Sequence, residues 1–234
     1  RSTRFIFMDE SGYLVFLKEG YRYASSFCEG IAAVNAGGWM FINDLGHEVK
    51  IIPDSLKNAR RVTCFHEGVS IVLMNQPSKS GMPVLRPYVI DANGNILVNV
   101  SALFPGKEIK NIHAFKGGVS MIEFFWDSKL PYSGKPIAFI NKSGKVLLDV
   151  DHVIDQKVGE GGHIILSRRQ KNGTDKWEMY EPNGKPMKLP AGVNYIKPIS
   201  KNYVYFYFDD PKIKFKSSLY ELHTMKLVYE TTGY

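Results

Sequence analysis

The chain has 234 residues, of which 44% are hydrophobic and 13% aromatic, and it contains 21 glycines and 12 prolines. This length accommodates a substantial core without support from a disulfide or a metal. The formal net charge is +7, but lysines and arginines are dispersed along the chain, which argues against a nucleic-acid-binding surface. No apolar run is long enough to span a bilayer.

The first predicted element is a β-hairpin over residues 4–17, RFIFMDESGYLVFL, with Gly12 at its turn. Acidic residues shortly before a glycine, between alternating apolar residues, are a strong local hairpin signal. The hairpin stands alone ahead of a series of longer repeats. We therefore expect it to be either an edge element or part of a further repeat.

A motif then recurs four times, as FCEGIAAV at Phe27, FHEGVSIV at Phe65, FKGGVSMI at Phe115 and a weaker VGEGGHII at Val158. A short β run precedes each copy, and an extended run broken by a tight turn follows it. The turn glycines of these following hairpins are Gly46, Gly94, Gly144 and Gly184. Each repeat is therefore predicted to contain four short strands, with the motif turn between the first two.

Five such repeats extend over residues 21–230, and the fifth ends in a glycine-free hairpin. Four-stranded repeats of about 40 residues are typical of a β-propeller, in which each repeat is a blade. We predict one all-β, propeller-like repeat domain over residues 1–234, with five full blades and the N-terminal hairpin as part of a sixth. A β-solenoid is the alternative, although unequal repeat lengths suit blades with variable loops better.

The two cysteines, Cys28 and Cys64, flank the phenylalanine of neighbouring motif copies and lie on the same face of their strands. We favour two half-buried free thiols, and a disulfide between adjacent repeats is the alternative. No metal-ligand spacing surrounds either cysteine, and none of the six histidines pairs at a zinc-ligand spacing. We therefore predict no metal site and no cofactor.

The second and third repeats carry long insertions. The motif glycine and the turn glycine are 16 residues apart in the first repeat but 26 apart in the next two. The inserted stretches, residues 74–87 and 124–136, should project from the same face, and they supply the candidate binding residues Met82, Arg86, Trp126, Lys129 and Tyr132. Aromatic, Met and Arg residues are enriched in protein interfaces, although the aromatic ones could also stack on a carbohydrate or cover a blade seam.

A basic residue recurs five positions before the motif phenylalanine, as Arg22, Arg60 and Lys110. Three cations at one repeat position would lie on one rim of the ring and could form a shallow anion site. The alternative is that they are solvated strand ends. In the last repeat, NYVYFYFDD places Tyr203, Tyr205 and Tyr207 on one face, either of an exposed recognition strand or of an edge strand that the N-terminal hairpin covers.

Catalytic signals are weak. A propeller glycosidase would need a pair of carboxylates on the first strands of its blades, and those strands supply only Asp155. A Gly-x-Ser-x-Gly elbow is absent, and the stretch GEGGH lacks the Lys-Ser/Thr of a nucleotide loop. We therefore predict no catalytic residue and keep a degenerate glycoside hydrolase as the enzymatic alternative.

The pattern Phe-x-Glu-Gly, followed by Trp, Phe-Ile-Asn and a glycine turn, resembles the bacterial WG-repeat family over nearly the whole chain. Trp39 and Trp177 stand at the family's Trp position and are followed here by Met40 and Glu178. The resemblance implies a non-catalytic repeat scaffold. We therefore predict a domain that binds another protein through its long loops, with a glycan or other anionic polymer as the alternative partner.

Overall fold

The computed structural model describes residues 4–8, 10–11, 13, 20–76, 84–125, 134–210 and 213–233. The fold is all-β and propeller-like, built from antiparallel sheets in which each strand pairs with its neighbour in sequence. Two compact units contain residues 1–110 with 142–144, and residues 111–141 with 145–234. A single domain over residues 1–234 stays a prediction.

The first two repeats each form a four-stranded sheet, as predicted. The strands of the first are β1 (Tyr23–Ala24), β2 (Ile31–Asn35), β3 (Trp39–Asn43) and β4 (Glu48–Ile51). Those of the second are β5 (Arg61–Val62), β6 (Val69–Gln76), β7 (Val84–Asp91) and β8 (Ile96–Asn99). A 3₁₀ turn, Asp54–Leu56, lies between the two sheets, and a one-turn helix, Val100–Leu103, follows the second.

The third and fourth repeats are joined in one six-stranded sheet. Its strands are β9 (Ile109–Ile112), β10 (Val119–Phe124), β11 (Lys135–Asn141), β12 (Val146–Val158), β13 (Ile164–Arg169) and β14 (Asp175–Tyr180). Strand β12 is the last strand of one repeat and the first of the next, because its first half pairs with β11 and its second half with β13. Between the halves, His152 has a φ of 62° and the pairing registers shift, so the strand bends there.

The fifth repeat forms a sheet of β15 (Val193–Pro198), β16 (Tyr203–Asp210), β17 (Ile213–Glu221) and β18 (Lys226–Gly233). The tyrosine-bearing strand β16 pairs on both sides, with β15 and with β17. The prediction that it is an edge strand is therefore wrong. Its alternation is as expected, since Val204 and Phe206 are fully buried.

The predicted turns are confirmed where the structure describes them. In the first three motif copies the two loop residues, Glu29-Gly30, Glu67-Gly68 and Gly117-Gly118, all have positive φ, as a type I′ hairpin turn requires. The glycines of the second hairpins, Gly46, Gly94, Gly144 and Gly184, also have positive φ. Of the predicted N-terminal hairpin, only part is described, and Phe5 pairs with Tyr21 through two main-chain hydrogen bonds.

Apolar clusters lie between successive repeats. One contains Phe41 and Ile52 from the first repeat with Phe65 and Ile90 from the second, and the Phe41 and Phe65 ring centroids are 4.8 Å apart. Full burial of such a side chain contributes roughly 1.5–3 kcal/mol, so this cluster stabilises the first and second repeats against each other. In the described part of the chain, no helix has the length and apolar character needed to cross a membrane.

Candidate functional site

A surface concavity lies beside β14, and we call it the β14 groove. It consists of two adjoining cavities of about 480 and 740 Å³ that share Asp175, Trp177, Gly192 and Val193. One wall is β14 itself. The other walls are residues 186–193 and the start of β15, and the second cavity extends to Asp155 in the bent strand β12.

The groove exists because the fourth repeat lacks a full fourth strand. In the other repeats the third strand pairs with a fourth, whereas here the following segment contains Pro186 and Pro190, which have no N–H to donate to a ladder. The pairing beyond the turn is reduced to the bridge between Tyr180 and Pro186 and a 2.8 Å bond from the Met187 N–H to the Met179 carbonyl.

The main chain of β14 is consequently open along half of its outer edge. The Met179 carbonyl faces away from β13, and groups two residues apart in a strand point to the same side. The N–H and C=O groups of Trp177 and Asp175 therefore also face the groove. Among the described residues, these groups have no main-chain partner, and they form a short open strand edge at the wall of a cavity.

The floor of the groove is apolar. Trp177, Met187, Leu189 and Val193 are half-buried and pack on the cluster that joins the fourth and fifth repeats. The Trp177 ring meets that of Tyr195 edge-on at a centroid distance of 5.1 Å. In the first repeat, Trp39 is buried and donates its indole N–H to the Ala59 carbonyl at 2.7 Å, whereas the Trp177 indole N–H has no acceptor among the described residues.

The carboxylates of the groove are all in ion pairs. Asp175 binds Arg169 at 2.6 Å, Glu178 lies 3.5 Å from Arg168, and Asp155 lies 3.6 Å from Lys157. By contrast, the exposed Lys185 and Lys188, on the segment that flanks the groove, have no ion-pair partner in the described ranges. The uncompensated charge at the groove is therefore positive.

Two ionisable groups at the groove have shifted pKa values. Burial, and then a 2.9 Å hydrogen bond donated to the Glu178 carboxylate, raise the pKa of Tyr180 to about 12. Burial opposes protonation of Lys157. The hydrogen bond that Lys157 Nζ donates to the Tyr195 hydroxyl oxygen at 2.6 Å and the nearby Asp155 carboxylate outweigh this effect and raise the Lys157 pKa. Tyr180 thus stays a neutral donor and Lys157 a cation at neutral pH.

The structure brings few of the predicted site residues together. Met82, Trp126, Lys129 and Tyr132 lie outside the described residues. Arg86 is half-buried in β7 and faces Met74 across the sheet. Three exposed cations occupy equivalent places at the start of the first strand of their repeats, namely Arg22, Arg60 and Lys110. That they form one basic rim stays a prediction.

A second cluster of side chains contains both cysteines and His66. Cys28 and Cys64 form a disulfide, with their Cα atoms 5.6 Å apart, so the prediction of two free thiols is wrong. The Nε2 atom of His66 lies 3.8 Å from the Cys28 sulfur and 3.5 Å from the Cys64 sulfur. The spacing of residues along the sequence does not predict this cluster of two cysteines and a histidine, because Cys28 belongs to the neighbouring repeat.

No known protein-family profile matches the chain, and no curated protein matches it. Among solved structures, it resembles dipeptidyl peptidase 4 of Porphyromonas gingivalis, with a TM-score of 0.53 and 11% identity, over 94% of this chain and 40% of the peptidase. The chain thus spans less than half of that protein's length.

Two other solved structures show weaker likeness. A putative TolB from Agrobacterium tumefaciens has a TM-score of 0.40 and 11% identity, over 94% of this chain and 85% of that one. The WD40 β-propeller domain of Doa1 has a TM-score of 0.31 and 13% identity, over 92% and 69%. The four-stranded antiparallel repeats define this protein's class as an all-β, propeller-like repeat protein.

Proposed function

We propose that this protein is a non-catalytic binding module that takes an extended, acidic segment of a partner protein into the β14 groove. The observation that carries the proposal is the open main-chain edge of β14 above an apolar floor. An added strand would form main-chain hydrogen bonds with Asp175 and Trp177, and would continue the sheet where the repeat's own fourth strand is missing.

The groove favours a polypeptide over a glycan. A strand edge offers N–H and C=O groups at the spacing of another main chain, which gives affinity, while alternate side chains reach the floor, which gives specificity. A sugar ring would need the open face of an aromatic ring, but Trp177 is half-buried and packs edge-on against Tyr195. The preferred segment therefore has apolar residues at every second position.

The charge around the groove selects acidic residues between those apolar anchors. Arg169, Arg168 and Lys157 already neutralise the local carboxylates, whereas Lys185 and Lys188 do not have such partners within the described chain. Complementary charges at the rim of an interface mainly raise the association rate and discriminate against basic partners.

The probe for this function is a displayed library of random ten-residue peptides, selected on the purified protein. Selected sequences should alternate apolar and acidic residues. A synthetic copy of the best peptide should bind the double variant Lys185→Glu/Lys188→Glu about tenfold more weakly, mainly through slower association. The matched control is Lys107→Glu/Lys226→Glu, which reverses two exposed lysines outside residues 175–195 and should leave affinity unchanged.

Main-chain pairing is tested by methylating the peptide's amide nitrogens one at a time. Methylation at the alternate positions that pair with β14 should weaken binding by about tenfold, whereas the positions between them should tolerate it, because only one set of N–H groups faces the sheet. Equal tolerance everywhere would rule out strand addition. Preferential binding of an acidic polysaccharide such as heparin, insensitive to the groove variants, would instead favour the glycan or anionic-polymer alternative.

Other parts of the proposal rest on the sequence. Residues 74–87 and 124–136, with Met82, Trp126, Lys129 and Tyr132, are proposed as additional partner contacts, and Arg22, Arg60 and Lys110 as a second basic surface. The resemblance to WG repeats supports a scaffold role. No reaction is proposed, and glycosidase turnover that Asp155→Asn abolishes would overturn that view.

A further inference from the structure

Two neighbouring type I′ turns bring three metal-ligating side chains together. Cys28 immediately precedes the turn at Glu29-Gly30, and His66 occupies the equivalent position before the turn at Glu67-Gly68. Cys64 lies two residues before His66. The two sulfurs and the His66 imidazole nitrogen all lie within 4.8 Å of one another.

The distances in this cluster fit a tetrahedral zinc ion. Zn–S and Zn–N bonds of about 2.3 and 2.0 Å place a sulfur and a nitrogen ligand roughly 3.5 Å apart, and two sulfur ligands roughly 3.8 Å apart. The His66 Nε2 atom is already 3.5 and 3.8 Å from the two sulfurs. Once the disulfide is opened, the two sulfurs need to separate only by rotation of their side chains.

We propose that reduction of the Cys28–Cys64 disulfide converts this cluster into a binding site for one Zn²⁺ ion, held by both thiolates and His66 with solvent as the fourth ligand. Two molecules of a small thiol reduce the disulfide, which yields two cysteine thiols and one small-molecule disulfide. Zinc binding then releases the two thiol protons. Oxidation by a small disulfide reverses the sequence and removes both thiolate ligands, so the ion is released.

The surroundings of the cluster keep it assembled after the disulfide opens. The Glu29 carboxylate accepts the main-chain N–H groups of both Glu67 and Gly68, which ties the two turns together without the sulfur bridge. Lys142 donates to the Glu67 carbonyl at 2.7 Å and pairs with its carboxylate at 3.1 Å. Both cysteines are half-buried and His66 is exposed, so a thiol and a metal ion can reach the site.

The test uses the full chain and zinc itself. Protein treated with a phosphine reductant, and oxidised protein as the reference, are titrated with Zn²⁺ against a chromophoric zinc chelator. Reduced protein should bind one equivalent and release two protons, measured in weakly buffered solution, and oxidised protein should bind none. Co²⁺ in place of zinc should show thiolate-to-metal charge-transfer absorption only in the reduced protein.

Variants identify the ligands. His66→Ala keeps both cysteines and should weaken zinc binding at least tenfold, whereas His47→Ala, which removes an exposed turn histidine outside the cluster, should not change it. Cys28→Ser/Cys64→Ser should abolish binding while the circular-dichroism spectrum shows a folded protein. Zinc binding by the oxidised chain, no binding by the reduced chain, or equal affinity in His66→Ala would each overturn the proposal.

Discussion

The Glu29 carboxylate accepts the main-chain N–H of Gly68 at 3.0 Å, and it also accepts the N–H of Glu67. The glutamate of one motif copy therefore caps the turn of the next copy. This contact gives Glu29 a structural role, because its carboxylate satisfies N–H groups of a tight turn. The glycine takes the positive φ that the turn requires.

Removal of the Glu29 carboxylate should weaken the junction between the first two repeats. We expect Glu29→Ala to lower the free energy of unfolding by about 1–2 kcal/mol, since a charged acceptor is lost but the exposed N–H groups can bind water instead. Urea denaturation followed by circular dichroism measures the change. Glu48→Ala, in the exposed part of β4, is the matched control and should have little effect. Equal effects of the two substitutions would contradict the capping role.

The disulfide should stabilise the oxidised chain by limiting the unfolded ensemble. Its cysteines are 36 residues apart, and a loop of that length corresponds to about 4 kcal/mol in the chain-entropy model. Urea denaturation with and without reductant, both in the presence of a metal chelator, measures this difference. The variant Cys28→Ser/Cys64→Ser should unfold at the midpoint of the reduced protein and respond to no reductant. Coincident curves for oxidised and reduced wild-type protein would show that the bridge contributes nothing.

The contact between Gly117 and Gly162 makes a sharp test of packing between the third and fourth repeats. A Cβ atom on Gly117 would lie 2.0 Å from the Gly162 nitrogen, whereas one on its neighbour Gly118 would meet nothing within 4 Å. Both residues have positive φ. Gly118→Ala should therefore cost about 1–2 kcal/mol of unfolding free energy from backbone strain alone, and Gly117→Ala substantially more.

Thermal unfolding of the two glycine variants, side by side, measures the difference. Because the backbone strain is common to both variants, the additional loss of stability in Gly117→Ala reports the close approach of the Gly117 and Gly162 main chains. Similar melting temperatures for the two variants would contradict that approach.

His163 should make stability depend on pH below neutrality. Burial lowers its pKa from the ordinary 6.5, and the Glu181 charge opposes this shift. The buried Nδ1 atom has no hydrogen-bond partner in the part of the chain that the structure describes. The unfolded chain therefore takes up a proton near pH 6.5 and the folded chain only at lower pH. The stabilisation is present above pH 6.5 and is lost as the pH falls towards the folded pKa.

Replacement of His163 by Gln should flatten this part of the stability profile. The measurement is urea denaturation at a series of pH values from above 6.5 downwards, with His223→Gln, at an exposed turn, as the matched control. A profile of His163→Gln that parallels the wild type through this range would show that the histidine does not titrate differently in the folded state.

Local signals in the sequence predicted the repeats well. A type I′ turn needs two residues of positive φ, flanked by strands in which apolar and polar residues alternate. The sequence around Gly30, Gly68 and Gly118 shows both features. The glycine-free final hairpin was also recognisable, although Met225 takes the positive φ there, at 52°. The joining of two repeats through β12 was not predicted, because nothing local marks a strand that bends and continues.

The β14 groove is marked in the sequence by the prolines that follow β14. The stretch PNGKPMKLPAG contains three prolines where the other repeats have a pairing strand, and proline removes the main-chain donors that such a strand needs. The turn glycine Gly184 is in place, so the local pattern alone predicts an ordinary hairpin. Of the candidate residues of the inserted loops, Arg86 is half-buried in β7, whereas Met82, Trp126, Lys129 and Tyr132 fall outside the described residues and stay predictions.

The all-β class, the four-stranded repeat and the positions of the hairpin turns that the structure describes are predictable from the chain alone, because they depend on residues within a few positions of one another. The proline-containing segment after β14 leaves the outer edge of that strand open beside Trp177 among the described residues. The packing of one repeat against the next brings Cys28 to Cys64 and His66 and places the Glu29 carboxylate at the following turn. Those relationships depend on the registers of strands and on the packing of one repeat against the next. No spacing along the chain encodes them.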